Sequence, residues 1–260
     1  MKAMKVCATV VLLVPAAAFA ASAFDGTWKF SADHIQLSKK PLVFVLQDGQ
    51  YTCKSCRVQQ SIKADGTDQK LMGDPSIDTV AITVVDANTV TTVYKLGGKT
   101  VMTRKIVVAA DGKSLVDEAI SLYGAAPQTY KERMTRITAG PEGSHAVSGS
   151  WHESKLLSSS GPGDLVTYGM TADGLTMSSN GQSYNAKFDD KQYLTQGDPS
   201  KTMVNLKKVS DTEVLETDSR GGKPVETEDM TISADGKTMH VVDTTLYNKS
   251  VQHYDLAKQP

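Results

Sequence analysis

The chain has 260 residues, 28 Lys and Arg against 29 Asp and Glu, and a formal net charge of −1. The two signs are interspersed and form no basic stripe, which excludes nucleic acid as a partner class. Aromatic residues make up 6%, too few for a carbohydrate platform or a base-stacking surface.

Residues 1–23 read as a secretory signal. Lys2 and Lys5 precede an apolar run over residues 6–20 that only Thr9 and Pro15 interrupt. Ala18-Phe19-Ala20 and Ala21-Ser22-Ala23 both fit the small-x-small cleavage rule. The run is shorter than the roughly 20 residues a membrane span needs, and no stop-transfer segment follows. Cys7 lies too early for a lipid anchor. The expectation is a cleaved signal and a mature protein in the periplasm or outside the cell, without a membrane span.

The mature chain is built on a duplication. Gly-Asp-Pro-Ser occurs at residues 73–76 and again at 197–200, an offset of 124. At that offset Gly97-Gly98-Lys99 falls on Gly221-Gly222-Lys223, Ala110-Asp111-Gly112-Lys113 on Ala234-Asp235-Gly236-Lys237, and Tyr130 on Tyr254. Upstream, Gly26-Thr27-Trp28 matches Gly149-Ser150-Trp151 at 123. So long a period means a duplicated domain rather than a solenoid repeat. The expected division is a first domain over residues 24–138, a polar Gly- and Pro-containing linker over 139–147, and a second domain over 148–260.

In chain order, short strand candidates lie at residues 41–47, 50–53 and 57–63, before the first Gly-Asp-Pro-Ser. Four runs rich in Val, Thr and Ile follow at 80–85, 89–96, 99–109 and 114–122, and residues 129–137 close the unit. Between them stand Asp86-Ala87-Asn88, Gly97-Gly98 and Asp111-Gly112, which is hairpin turn chemistry. The side chains alternate with period two, and no comparable window carries a helical stripe. The second half replays the plan. Ala-Asp-Gly separates two strand candidates at 64–66, 110–112, 172–174 and 234–236. Each loop offers one Asp where a calcium loop needs several acidic oxygens, so these are turns. The predicted fold is all-β: two tandem antiparallel meander barrels of eight to ten strands each, with a two-sheet sandwich as the alternative.

Gly-x-Trp at the start of such a meander resembles the opening signature of lipocalins and calycins. The order of motifs also resembles secreted bacterial two-repeat proteins with no established activity. The resemblance implies that Trp28 and Trp151 plug the closed ends of the barrels, each beneath a basic residue of the final strand. Arg133 or Arg136 would serve in the first repeat and Lys258 in the second.

Cys53-Lys54-Ser55-Cys56 is the sharpest local feature. In an oxidising compartment two cysteines at this spacing form a local disulfide, with metal or redox roles as alternatives. Position 57 is Arg rather than the His of a haem site, and no histidine has paired zinc spacing with the two cysteines. No hydrolase elbow, zincin motif or phosphate loop is present. The chain is therefore expected to be non-enzymatic and to need no cofactor or metal.

Met102, Arg104, Ile106 and Val108 share one strand face, as do Tyr130, Glu132, Met134 and Arg136. If these faces line the barrel, Arg104 and Tyr130 are the candidate contacts for a ligand carboxylate; the favoured expectation is that they are solvated and the opposite faces fill it. The first repeat has the longer apolar faces, whereas the second carries Asn205, Lys207, Lys208, Glu213, Glu216, Asp218, Glu226, Glu228 and Asp229 on matching strands. The leading functional expectation is a binding protein for a small apolar or amphipathic molecule, held in the first barrel. The alternative is an envelope or interaction module whose barrels are filled by side chains.

Overall fold

The computed structural model describes residues 22–260. The expected signal over residues 1–23 therefore lies outside the described residues, apart from its last two. Strands account for the first half as β1 (Gly26–Gln36), β2 (Leu42–Gln47), β3 (Gln50–Cys53), β4 (Ile62–Lys63), β5 (Gln69–Lys70), β6 (Thr79–Val84), β7 (Thr89–Leu96), β8 (Lys99–Val108), β9 (Ser114–Ser121) and β10 (Gln128–Ala139). The second half follows as β11 (Gly149–Ser160), β12 (Leu165–Met170), β13 (Gly174–Ser179), β14 (Gln182–Lys187), β15 (Tyr193–Leu194), β16 (Met203–Lys208), β17 (Glu213–Arg220), β18 (Lys223–Ile232), β19 (Thr238–Thr245) and β20 (Ser250–Lys258). One 3₁₀ turn, Pro162–Asp164, leads from β11 into β12. The expected strand over residues 57–63 shortens to β4, because the Cys53–Cys56 bridge and its loop occupy the stretch before it.

The turn chemistry behaves as the side chains require. Asp65, Asp111 and Asp235 each accept the backbone N–H two residues on, at 3.0, 2.9 and 3.0 Å. The glycines that follow them, Gly66, Gly112 and Gly236, take positive φ. Gly174 differs: it opens β13 without positive φ, and a side chain there would strike Ala186 O.

Two antiparallel sheets of ten strands result, in the orders β4-β3-β2-β11-β10-β9-β8-β7-β6-β5 and β14-β13-β12-β1-β20-β19-β18-β17-β16-β15. Each curls until its ends meet. In the first, Asp65 bridges Thr83 and Gly66 N–H donates to Ile82 O at 2.8 Å. In the second, Ser183 and Gln196 exchange both backbone hydrogen bonds, at 3.0 and 2.7 Å. The architecture is two nearly closed barrels, here called the N-barrel and the C-barrel, as the patterning predicted.

The boundaries expected from the repeat do not delimit those barrels. β1 lies between β12 and β20 in the C-barrel, and β11 lies between β2 and β10 in the N-barrel. Each repeat thus gives its first strand to the other. The cause is local: residues 140–148 fold β11 back on β10 as a hairpin, which continues the first meander and fills the place beside β2. Consecutive strands joined by a short connection pair with one another. The vacancy in the C-barrel then falls to β1. The stretch read as a linker is this hairpin loop, and Val147 within it is fully buried in the N-barrel core.

The two tryptophans anchor this exchange. Trp28 Nε1–H donates to Phe24 O and Trp151 Nε1–H to Val147 O, both at 2.9 Å, and both rings are 0% exposed. The Arg136 guanidinium lies 3.9 Å from the centre of Trp151, and Lys258 Nζ lies 5.0 Å from Trp28. Arg136 also donates to Ser148 O and Ala146 O at 2.6 Å each, while Arg133 is exposed. A last-strand cation does cover each tryptophan, but each covers the tryptophan of the other half: Arg136 that of the second and Lys258 that of the first.

The disposition of the strand faces also corrects the favoured expectation. Ile106, Val108 and Met134 are at most 3% exposed and belong to the N-barrel core, so the faces carrying Arg104 and Arg136 point inward. Cys53 and Cys56 are bonded, with Cα atoms 5.4 Å apart. Cys53 is buried in that core and Cys56 packs against it.

Two outcomes follow. A fragment of residues 37–161 contains every strand of the N-barrel and is expected to melt cooperatively as a monomer. A fragment of residues 24–138 lacks Trp151 and is expected not to; a cooperative monomeric melt of 24–138 in a circular-dichroism scan would refute the exchange. Replacing Cys53 and Cys56 by Ser is expected to cost about 2 kcal/mol in a denaturant titration, because so short a loop gains little closure entropy.

Candidate functional site: two barrel cavities

The N-barrel encloses a cavity of about 300 Å³. Its walls are apolar, with Ile62, Leu71, Val80, Ile82 and Met102 facing the rings of Tyr51 and Tyr94. Arg104 borders it too, but its guanidinium donates to both carboxylate oxygens of Asp117, which is 5% exposed. Burial works against the charge on Arg104, and Asp117 together with Tyr94 and Tyr51 more than offsets it, so Arg104 keeps its charge. At the edge stand Arg57, Asp74 and Arg220. Arg57 lies over the Tyr247 ring at 5.2 Å, and Arg220 Nε–H donates to Thr202 Oγ1 at 2.8 Å. Arg220 and Tyr247 come from the C-barrel sheet and its β19–β20 turn, so both halves build the mouth.

Arg104 and Tyr130 are not brought together. Tyr130 is 39% exposed and borders the cavity of the C-barrel instead. The repeat register shifts there: Tyr130 pairs with Ala119, whose counterpart at the 124 offset, Asp243, pairs with Gln252. The structural counterpart of Tyr130 is therefore Gln252 rather than Tyr254, because residues 122–127 make a longer turn than residues 246–249.

The C-barrel cavity holds about 520 Å³. Val214, Met230 and Val241 form a buried apolar row across β17, β18 and β19. Two residues along each strand on the same inward face, the rows turn acidic. Glu216 stands opposite Glu228 and Glu228 opposite Asp243, while Asp218 stands opposite Glu226. Like charges directly across a sheet repel. Burial, reinforced by these neighbours, pushes the Glu216 carboxyl up to about 8, Asp218 to about 7 and Asp243 to about 8, and Glu228 well above the usual carboxylate range. Tyr184 donates to Glu216 Oε2 at 2.6 Å, and Tyr254 lies 3.4 Å from Glu228 Oε1. These groups can hold protons near neutral pH and surrender them when their surroundings change.

The sequence reading counted the acidic residues of the second repeat and missed that Glu216, Asp218, Glu226 and Glu228 point inward. Their parity with the buried Val214 and Met230 is the signal that places them. It missed Arg57 and Arg220 as well, for which position beside the disulfide loop and the Gly221-Gly222 turn was the only cue. Among the described residues no group of three or more His, Cys, Asp or Glu side chains is arranged to hold a metal ion.

Carboxyls with raised pKa in the folded state bind more protons there than in the unfolded chain. Their contribution is complete below the unfolded value of about 4 and is lost as pH rises through about 7 to 8. Melting temperature is therefore expected to fall between pH 5 and pH 9, and Glu228→Gln is expected to flatten that fall. A profile unchanged by the substitution in a calorimetric pH series would refute the buried carboxyl rows.

No protein-family model, no curated protein and no solved structure matches this chain.

Proposed function

We propose that the protein is a secreted or periplasmic, non-enzymatic binding protein of lipocalin-like design, whose N-barrel takes a small amphipathic molecule with an anionic head. The observation that carries this reading is the N-barrel cavity: apolar walls within, and Arg57 and Arg220 against the single Asp74 at its edge. An apolar pocket with a few convergent polar groups is the usual form of a small-molecule site. Arg104 supports the ligand indirectly, because its charge is already answered by Asp117. The two edge guanidiniums are the contacts for the head group, each worth about 1.5–3 kcal/mol as a charge-assisted hydrogen bond. The local Cys53–Cys56 bond fits an oxidising compartment.

The test is fluorescence titration of the full chain with anilinonaphthalene sulfonate, followed by displacement. Decanoate is expected to displace the probe at least tenfold more effectively than decanol. Combining Arg57→Ala with Arg220→Ala is expected to weaken decanoate at least tenfold. Arg104→Met alone is expected to lower stability by about 3–5 kcal/mol by stranding Asp117, and Asp117→Leu to restore it in the double variant. No saturable probe binding, or equal displacement by decanol, would overturn the reading.

A further inference from the structure

We propose that the C-barrel cavity is a second binding site, for an organic cation: a small amphipathic amine with a ring or alkyl body and one ammonium group. The cavity of about 520 Å³ is bordered by five carboxyl groups, Glu132, Asp164, Glu216, Asp218 and Glu228, and by no Lys, Arg or His among the described residues. Apart from Ser159, Ser179 and Gln252, its remaining wall is apolar and aromatic, with Phe30 and Tyr254 edge to face at 5.7 Å beside Val166, Tyr168 and Leu256. A cavity of this make-up has a place for an apolar body and an excess of carboxyl groups around it.

Two further observations indicate that the missing positive charge is meant to arrive with a ligand. The first is the comparison of the repeats. In the N-barrel, Arg104 and Asp117 neutralise one another across β8 and β9. At the 124 offset their counterparts are Glu228 and Val241, so the cation has become a carboxyl and its partner an apolar residue. The second is hydrogen bonding. Asp218, which lines the cavity, has an Oδ1 that accepts no hydrogen bond among the described residues, and Glu216 beside it is only 7% exposed. A buried carboxylate oxygen left without a donor is costly, and an ammonium group brings three donors and the opposite charge. Aromatic faces add their own attraction for a cation.

The nearest charge of the chain itself does not fill this role. Arg220 borders a neighbouring cavity with Glu216 and Asp218, and it is engaged with Thr202. A compact metal ion fits less well, because the carboxyls lie in rows at strand spacing and do not converge on one point. Entry of an ammonium group would release protons now held by the carboxyls to the buffer, the protein changing from a carboxylic acid to a carboxylate paired with the bound cation.

The experiment is isothermal titration of the full chain at pH 7 with tryptamine and with tryptophol, its neutral alcohol analogue, in two buffers of different ionisation heat. Tryptamine is expected to bind at least tenfold more tightly than tryptophol, with a heat that differs between buffers and so reports proton release. Glu228→Gln and Asp218→Asn are each expected to weaken tryptamine at least tenfold, while decanoate displacement in the N-barrel stays unchanged. The second readout shows that the variants remain folded and separates this site from the first. Absent binding, equal affinity for tryptophol, or tryptamine binding insensitive to both substitutions would overturn the proposal. So would displacement of tryptamine by calcium or magnesium at equal concentration, which would assign the carboxyls to a metal.

Discussion

Each barrel is closed by a strand it does not own, and most of the molecule depends on that. Residues 140–148 form a hairpin loop that turns the chain back beside β10. β11 therefore continues the first meander, and β1 is left to pair with β12 and β20. Trp28 and Trp151 travel with these strands and are buried in the cores of the opposite barrels. There they meet Lys258 and Arg136 from the last strands. Removing one first strand would open one barrel and leave a tryptophan without its core, so the halves are thermodynamically linked although their cores are distinct.

The exchange also brings the two cavities together at the junction. Arg220 and Tyr247 belong to the C-barrel half yet border the N-barrel cavity. Tyr130 and Glu132 belong to β10 yet border the C-barrel cavity. Neither mouth could be completed by one repeat alone. The duplicated Gly-Asp-Pro-Ser elements stand here as well, Asp74 and Ser76 at one cavity edge and Asp198 and Ser200 at another. In both copies the Asp accepts the N–H of the Ser two residues on, at 2.8 and 2.9 Å. One of the tetrapeptides repeated without change is thus a turn that borders a cavity in both halves.

How much of this was legible depends on whether the determining interaction is local. Most turns and strands and the Cys53–Cys56 bond follow from residues close in sequence, and these expectations agree with the structure, as does the burial of both tryptophans that the Gly-x-Trp resemblance implied. Strand partnership does not follow in the same way. Gly26-Thr27-Trp28 and Gly149-Ser150-Trp151 are near-equivalent, so either first strand fits either barrel, and only the connection lengths break the tie. Cavity chemistry was hidden by a second ambiguity. Period two divides a strand into two faces without saying which is inside, and a face carrying Glu216, Asp218, Glu226 and Glu228 resembles a solvated one. Its continuity with Val214, Met230 and Ile232 settles the direction, since those residues are at most 4% exposed.

The two barrels therefore share a fold while answering interior charge differently at the equivalent positions. In the N-barrel, Arg104 and Asp117 satisfy one another, and the cavity beside them is free to be apolar. In the C-barrel the matching positions give Glu228 and Val241, and the carboxyl rows are left to retain protons. Retention lets these carboxyls stay buried without a cation, at the cost of stability that declines as pH rises. The same protons make the interior responsive, because whatever neutralises the carboxylates in their place stabilises the folded barrel by mass action. Duplication kept the closing strand and its tryptophan in both copies and let the interiors diverge, since the closure is shared between halves whereas each cavity is lined mainly by one.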